Sequence, residues 1–352
     1  MARKAAQLEE EVETEEGATE STEDRTAKFV AEVNKQYGKF HLISGDKVLP
    51  VPRLPTGSFA IDNALGGGIP LGRIGLLWGN KSAGKGSLVC NIIAEAQKFS
   101  RTKLRYFLEC ENQEDHVPLR VCIVDYEGTW DPAWAEAIGV DVSLVHISTP
   151  YNQEMCIDTI VAMFKDNAFD LIVLDSLANM MPAVVGEKST EENKMNLSIA
   201  KKNGEMFMKV QNALNEFHSN HGPGVLAPTL IVINQVRMKP TMYGSPDVLP
   251  GGNGQWHYAS WVIKMSGNAV HYHDEKTKTR PHYVEHDFMV EKNKTGVPKI
   301  AGTLKRLLTD DPDQGPAGMV SEQKSVFDAA TEIGMVKKED TTWFFEDESF
   351  KT

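Results

Sequence analysis

Cysteine is scarce in this chain. Cys90, Cys110, Cys122 and Cys156 are the only four in 352 residues, and their spacing holds no CxxC pair, which excludes a small disulfide scaffold and fits a reducing compartment. A long hydrophobic run is also missing. No stretch approaches the roughly 18 apolar residues of a membrane span, and the N-terminus lacks the apolar centre of a secretory leader. These absences predict a soluble, cytoplasmic protein. The spacing of Cys110, His116 and Cys122 matches no standard zinc pattern.

Positive charge is short overall, at a net charge of −12, but the deficit is local. Residues 1–25 hold nine acids against three bases, and residues 310–352 hold eleven against four, so the segment 26–309 carries about +1. Acidic ends around a near-neutral core do not exclude a nucleic-acid groove with tails that compete for it, and they fit equally well with tails that only aid solubility. Residues 1–25 are too poor in large apolar side chains to fold alone and read as a disordered acidic tail. Phe29, Val33, Tyr37 and Phe40 recur at helical spacing and predict a helix ending near Gly38 or His41. Lying outside the core, its apolar stripe must dock elsewhere.

From Pro55-Thr56-Gly57 onward, apolar strand candidates alternate with helices. The strands fall around Ile74–Trp78, Val121–Asp125, Leu144–Ser148, Leu171–Asp175 and Thr229–Asn234, a pattern that predicts a mostly parallel α/β sheet wrapped by helices. Two segments read as mobile loops, the polar 182–195 and 236–255 with its Pro240, Pro246, Pro250 and Gly251-Gly252-Asn253-Gly254, and loops this long are usually functional or disordered. Beyond the break at 310–318, Val326, Phe327, Ala330, Ile333 and Val336 predict one amphipathic helix, and Trp343-Phe344-Phe345 a strand.

The chemistry concentrates in Gly79-Asn80-Lys81-Ser82-Ala83-Gly84-Lys85-Gly86-Ser87, between an apolar strand and the helical stretch from Leu88. Such a loop closes its backbone N–H groups around a triphosphate, with Lys85 reaching the terminal phosphates. The hydroxyl residue that normally follows the lysine and holds Mg²⁺ is here Gly86. Ser87 carries a hydroxyl one position later, about 100° further round the helix, so nucleotide binding is better supported than fast hydrolysis. Asp175 closes an apolar strand as a Mg²⁺-binding carboxylate would. Glu127 sits just past another strand, where it can polarise the water that attacks the γ-phosphate. Gln235 ends a third, suited to sensing that phosphate.

With these motifs in this order the chain resembles the RecA-type homologous recombinases, in particular their bacterial and phage-encoded branch. The likeness runs from about Lys28 to Phe350 and includes Asn34-Lys35-Gln36-Tyr37-Gly38-Lys39, Pro55-Thr56-Gly57-Ser58, Ala64-Leu65-Gly66-Gly67-Gly68, Asn234-Gln235-Val236-Arg237-Met238-Lys239, Gly251-Gly252-Asn253 and Lys292-Asn293-Lys294. It implies a RecA-type P-loop ATPase core (56–309), an N-terminal helical polymerisation arm (26–55) and a small, shortened C-terminal α/β segment (310–352). It further implies a DNA-dependent ATPase using ATP and Mg²⁺. Glu127, Lys85 and Gln235 would be catalytic, Asp175 and Ser87 near the metal, and Asp131 and Trp134 on the adenine. Lys292 and Lys294 would reach a neighbouring protomer's ATP. Met195, Asn196, Arg237, Met238, Lys239, Gly251, Gly252 and Asn253 would meet DNA, where basic and backbone groups hold phosphates and apolar side chains wedge between bases. The implied partners are single-stranded DNA, homologous duplex DNA, further copies of the chain in helical filaments, and single-strand-binding and mediator proteins.

The chain departs from that pattern at Gly86, at Ala200 and Phe207 where basic residues are usual, at Trp256-His257 in a region expected at the protomer interface, and in an insertion of about fifteen residues around Ser100–Arg120. Two other readings stay open: a non-hydrolysing, ATP-switched DNA-binding filament protein, and a regulatory partner of another recombinase.

Overall fold

The structure, a computed structural model, describes residues 22–100, 117–181, 192–238, 247–339, 342–345 and 348–350. It divides into two compact units, residues 1–49 with 216–223 and residues 50–215 with 224–352.

The smaller unit is the helix Thr22–Tyr37 with its return segment. Glu23 and Asp24 in the first turn and Lys35 in the last complement the helix dipole. The helix therefore starts inside the stretch expected as a disordered tail, and residues 1–21 lie outside the described residues. Gly38 ends it at φ 132°, where a Cβ would stand 2.9 Å from the Ser219 carbonyl oxygen. The Asn34 side chain then clamps Leu42, donating to its carbonyl at 2.9 Å and accepting from its N–H at 2.7 Å. Phe29 and Tyr37 remain about three-fifths exposed.

The larger unit contains two short antiparallel pairs, β1 (Arg53–Leu54) with β2 (Ile69–Pro70) and β8 (Arg237–Met238) with β9 (Asp247–Val248). Its central sheet is formed by β3 (Ile74–Gly79), β4 (Val121–Asp125), β5 (Val145–Ser148), β6 (Leu171–Asp175), β7 (Thr229–Gln235), β10 (Trp261–Tyr272), β11 (Pro281–Asn293) and β12 (Ile300–Leu307). The spatial order is β12-β11-β10-β3-β7-β6-β4-β5. The strands from β10 to β5 run parallel, while β11 and β12 extend the sheet antiparallel. β3 and β4 are buried at every residue, as expected of parallel strands covered on both faces. All five expected strands form with boundaries within a residue or so, whereas β10, β11 and β12 were not anticipated.

The phosphate-loop helix Lys85–Lys98 packs apolar side chains such as Leu88, Ile92 and Ile93 into the main core. Burial pushes the thiols of Cys90 and Cys122 up to about 11 and that of Cys156 to about 12, so these cysteines are inert core residues. Cys110 and His116, with most of the insertion, lie outside the described residues. At the C-terminal end the helix Gln323–Glu332 precedes β13 (Val336–Glu339), β14 (Thr342–Phe345) and β15 (Glu348–Phe350). Val336, expected on the helix, begins β13 instead, because Gly334 at φ 77° has already ended the helical turn.

One close approach sets the β3/β10 pairing. Gly75 lies opposite Trp261, and a Cβ there would stand 2.0 Å from the indole ring, which is fully buried. Gly75→Ala should lower unfolding free energy by about 1–3 kcal/mol through overpacking. Gly86→Ala, where a Cβ meets nothing within 4 Å, should change it by less than about 1 kcal/mol. Chemical denaturation of the two variants tests this, and equal effects would disprove the steric account.

Candidate functional site

The C-terminal ends of β3, β4, β6 and β7 meet at one edge of the sheet, where open α/β sheets place their ligands. From β3 the chain turns at Gly79, whose φ of 149° and contact with Met265 leave no room for a side chain. Gly84, at φ 78°, caps the helix Lys85–Lys98, and a Cβ there would strike the His286 ring at 2.7 Å. The loop thus presents backbone N–H groups at a helix N-terminus, the arrangement that receives phosphate. Lys85 is buried, and its Nζ donates to the carbonyls of Gly79 (3.1 Å) and Asn80 (2.6 Å). Burial lowers its pKa, opposed by the charges of Asp175 and Glu127.

Facing it, Asp175 ends β6 with its carboxyl pushed up to about 7, first by burial and then by repulsion from Glu127 and Asp125. Its backbone carbonyl accepts the N–H groups of Tyr126 (2.7 Å) and Glu127 (3.1 Å), fixing the start of the β4 turn. Asp125 fixes the rest: Oδ1 accepts from Gly128 (2.7 Å) and Thr129 (3.3 Å), and Oδ2 from Trp130 (3.0 Å). Glu127 is held by an amide. Gln235 Nε2 donates to both of its carboxylate oxygens, at 3.0 and 3.1 Å.

Asp131 caps the short helix Pro132–Ile138, its Oδ1 accepting from Ala133 and Trp134. The Trp134 indole Nε1 donates to Ser87 Oγ at 3.3 Å, so the hydroxyl considered for the metal is engaged on the tryptophan side. Lys81–Ser87, Glu127, Asp131, Trp134, Asp175 and Gln235 all line one cleft of about 570 Å³. Gly86 is exposed there, with open space where a side chain would stand. The residues present fit a nucleoside triphosphate, and Asp175 supplies the single carboxylate that a Mg²⁺ shared with phosphates requires.

Lys292 and Lys294 do not line this cleft. Lys292 Nζ donates to the carbonyls of Trp256 (2.5 Å) and His257 (3.3 Å), and Lys294 Nζ to that of His257 (3.4 Å). The β10 partner of Lys292, Val262, pairs with Leu76 of β3, about three residues or ~10 Å before the loop begins at Gly79.

The expected DNA-contacting residues are spread more widely. Met195 and Asn196 fall in the opening turns of the helix Glu192–His221, their side chains outside the description, and Lys239 lies outside the described residues. Arg237 is exposed, with Nη2 donating to the Ala178 carbonyl at 3.2 Å, and Met238 completes β8. Gly251 and Gly252 take φ near 90°, and the Gly251 carbonyl accepts from Asn203 at 3.1 Å. Gln255 donates to the carbonyls of Pro250 (2.6 Å) and Gly252 (2.9 Å) while accepting from Asn234, the neighbour of Gln235, at 2.7 Å. Asn253 caps the turn Gly254–Tyr258. Phe207, where a basic residue is usual, is buried and stacks on Tyr258, and Lys202 is paired with Glu154, leaving Lys201 and Lys209 exposed on this helix. Sequence reasoning missed Asp125, Gln153, Asn203 and Gln255 as positioning residues. Asp125 was legible as the acid ending β4, whereas a buried amide has no local pattern.

Because the Asp175 pKa is raised in the folded state, its ionisation opposes folding, and the loss grows as pH rises from about 4 through 7. Asp175→Asn should therefore stabilise the ligand-free chain at pH 8 by about 1–3 kcal/mol and do nothing at pH 4. Thermal unfolding at the two pH values measures this; equal shifts would refute the electrostatic cause.

Comparison with known proteins agrees with this geometry. A family described as the RecA N-terminal domain matches residues 25–308. Among curated relatives, protein RecA of Haemophilus ducreyi is 31% identical over 257 residues, covering 71% of this chain and 61% of that protein. Protein RecA of Streptomyces coelicolor is 33% identical over 235 residues, covering 66% and 55%. That of Nautilia profundicola is 32% identical over 234 residues, covering 65% and 59%. The match thus spans less than two thirds of each relative. Among the described residues no helix is long and apolar enough to cross a membrane. With its phosphate loop, carboxylate cluster and parallel sheet in one frame, and a family match across most of its length, the chain belongs to the RecA family.

Proposed function

We propose that the protein is an ATP-dependent DNA recombinase that assembles as a helical filament on single-stranded DNA and exchanges strands with a homologous duplex. The observation that carries this reading is the cleft itself. Lys85, Asp175 and Glu127 converge there, and Gln235 joins Glu127 to the segment leading into the second expected DNA loop.

In this reading the triphosphate lies in the Gly79–Ser87 loop, and Lys85 transfers its hydrogen bonds from the loop carbonyls to the terminal phosphates. Mg²⁺ beside Asp175 supplies charge neutralisation for the phosphates when bound. Glu127 takes the proton of the attacking water, and Gln235 exchanges its bond to Glu127 for one to the γ-phosphate. That exchange moves the end of β7, and Asn234 passes it through Gln255 to the Gly251–Gly252 turn. Asp131 and Trp134 hold the base, the indole by stacking.

Lys292 and Lys294, remote from their own chain's loop, serve a neighbour's nucleotide, so ATP joins protomers. The helix Thr22–Tyr37, with exposed Phe29 and Tyr37, is the arm that docks on an adjacent copy. Residues 56–309 act as the ATPase and DNA-binding core, and 310–352 as a small C-terminal segment. The setting is cytoplasmic, with single-strand-binding and mediator proteins as partners. The open space at Gly86 keeps the switched, non-hydrolysing filament as a second reading.

Phosphate release from ATP and Mg²⁺, with and without single-stranded DNA, separates the two. The recombinase reading expects release that rises with DNA and disappears in Glu127→Gln; DNA-dependent ATP binding without release would favour the switch. Gly86→Thr, which the open space accommodates, should raise DNA-stimulated turnover about tenfold, ~1.4 kcal/mol of transition-state stabilisation. An unchanged or lower rate would sink the missing-ligand explanation.

A further inference from the structure

Arg306 is the side chain that the reading above leaves without a task. It lies on β12, is 2% exposed, and lines the nucleotide cleft. Its Nη1 donates to the Gly318 carbonyl at 2.7 Å, while Nε and Nη2 have no partner among the described residues. Those two nitrogens form one edge of the planar guanidinium, so a complete donor fork is unsatisfied. A buried arginine with half its donors idle is costly unless something supplies acceptors, because an unmet buried charge loses several kcal/mol of solvation. Burial indeed lowers its pKa to about 10, with only the Cys90 thiol as an opposing influence.

Its position along the cleft narrows the choice of acceptor. Arg306 pairs with Val284 across β11/β12, and His286, two residues along β11, touches Gly84 of the phosphate loop. Strand spacing puts the Arg306 backbone ~8 Å from that of His286, and Gly318, to whose carbonyl Arg306 donates, lies beside Ala137 and Ile138 of the helix that carries Trp134. The neighbouring lining is apolar, with Val89, Val270, Val284 and Leu308 around it. Such walls suit the faces of a neutral aromatic ring and penalise a second polyanion.

We propose that Arg306 reads the base of the nucleotide: its free Nε–Nη2 edge donates to one acceptor nitrogen of a purine whose phosphates lie in the Gly79–Ser87 loop. The inference rests on the nucleotide reading above and adds a specificity residue to it. Where that acceptor is N7, a pyrimidine, which has no imidazole ring, is rejected by the hydrogen bond as well as by its smaller stacking area. A hydrogen bond to a buried charged donor contributes about 1.5–3 kcal/mol, or tenfold and more in affinity.

The test is a chemical double-mutant cycle on the full chain. Affinities are measured for ATP and for its 1-deaza, 3-deaza and 7-deaza analogues, each lacking one ring acceptor. The same series is repeated on Arg306→Met, which keeps the volume and removes the donors, and on Arg306→Lys, which keeps the charge without the fork. The expected result is a loss of about tenfold for at least one analogue with the unaltered chain, shrinking below about twofold in Arg306→Met. The base-reading role is overturned if no analogue loses more than about twofold, or if Arg306→Met shows the same losses. It is also overturned if inorganic phosphate alone binds and that binding disappears in Arg306→Met, which would make Arg306 an anion subsite. Failure of ATP and every analogue to bind would bring down the nucleotide reading as well, whereas equal binding of all four brings down only the role of Arg306.

Discussion

The cleft is organised by a conflict of charge: Asp125, Glu127 and Asp175 are brought to one edge of a parallel sheet, against the buried ammonium of Lys85. The conflict follows from strand order, because β6 lies between β4 and β7 and its last residue is Asp175. Each carboxylate is treated differently. Asp125 is taken up by three backbone N–H groups and becomes structural. Glu127 receives a neutral amide, which orients it without cancelling its charge. Asp175 absorbs the remaining repulsion as a raised pKa, which leaves it as the carboxylate that gains most from a cation. Three acids of similar intrinsic acidity thus acquire three tasks from their surroundings.

Much of this was legible because the informative strands are short, apolar and followed at once by a chemical residue. Leu171–Asp175 and Val121–Asp125 could be read to the residue, since each is a run of apolar side chains, as a parallel strand covered on both faces favours, closed by a single acid. The long strands β10–β12 escaped notice although the buried Val284, His286, Phe288 and Val290 alternate with Glu285, Asp287 and the exposed Met289 along β11. The buried His286 breaks the apolar series, and the histidine is there because it packs on Gly84. With those strands unseen, Arg306 could not be placed, since only the β11/β12 register brings it to the cleft. The amides Gln153, Asn203 and Gln255 escaped for another reason: their partners lie up to about fifty residues away, and no local pattern marks them.

Those amides join the end of β7, where Gln235 stands, to a turn about fifteen residues further along the chain. Asn234 donates to Pro250 and Gln255, Gln255 holds Gly252, and Asn203 links Gly251 to Gln153. Buried amide networks rigidify what they join as their members are satisfied, and here Gln153 Oε1 alone of these amide oxygens is left without a partner among the described residues. In the reading proposed above, a displacement at Gln235 would reach the Gly251–Gly252 turn through these bonds, and glycine at both positions, with φ of 89° and 87°, lets that turn change its backbone angles at low cost.

Gly86 belongs to the same balance. Glycine is not required there by the backbone or by packing, for its φ is not in the left-handed region and nothing lies within 4 Å of a side chain. Its effect is chemical: the first helical turn offers no hydroxyl beside Lys85, and the next hydroxyl, on Ser87, already accepts from Trp134. Metal recruitment then falls more heavily on Asp175, the acid whose ionisation the fold makes most costly. A cleft built this way couples cation binding, loss of the Asp175 proton and relief of carboxylate repulsion in one step. In the reading proposed above, nucleotide with its metal would stabilise the Glu127–Asp175 edge independently of how fast the phosphate bond is broken.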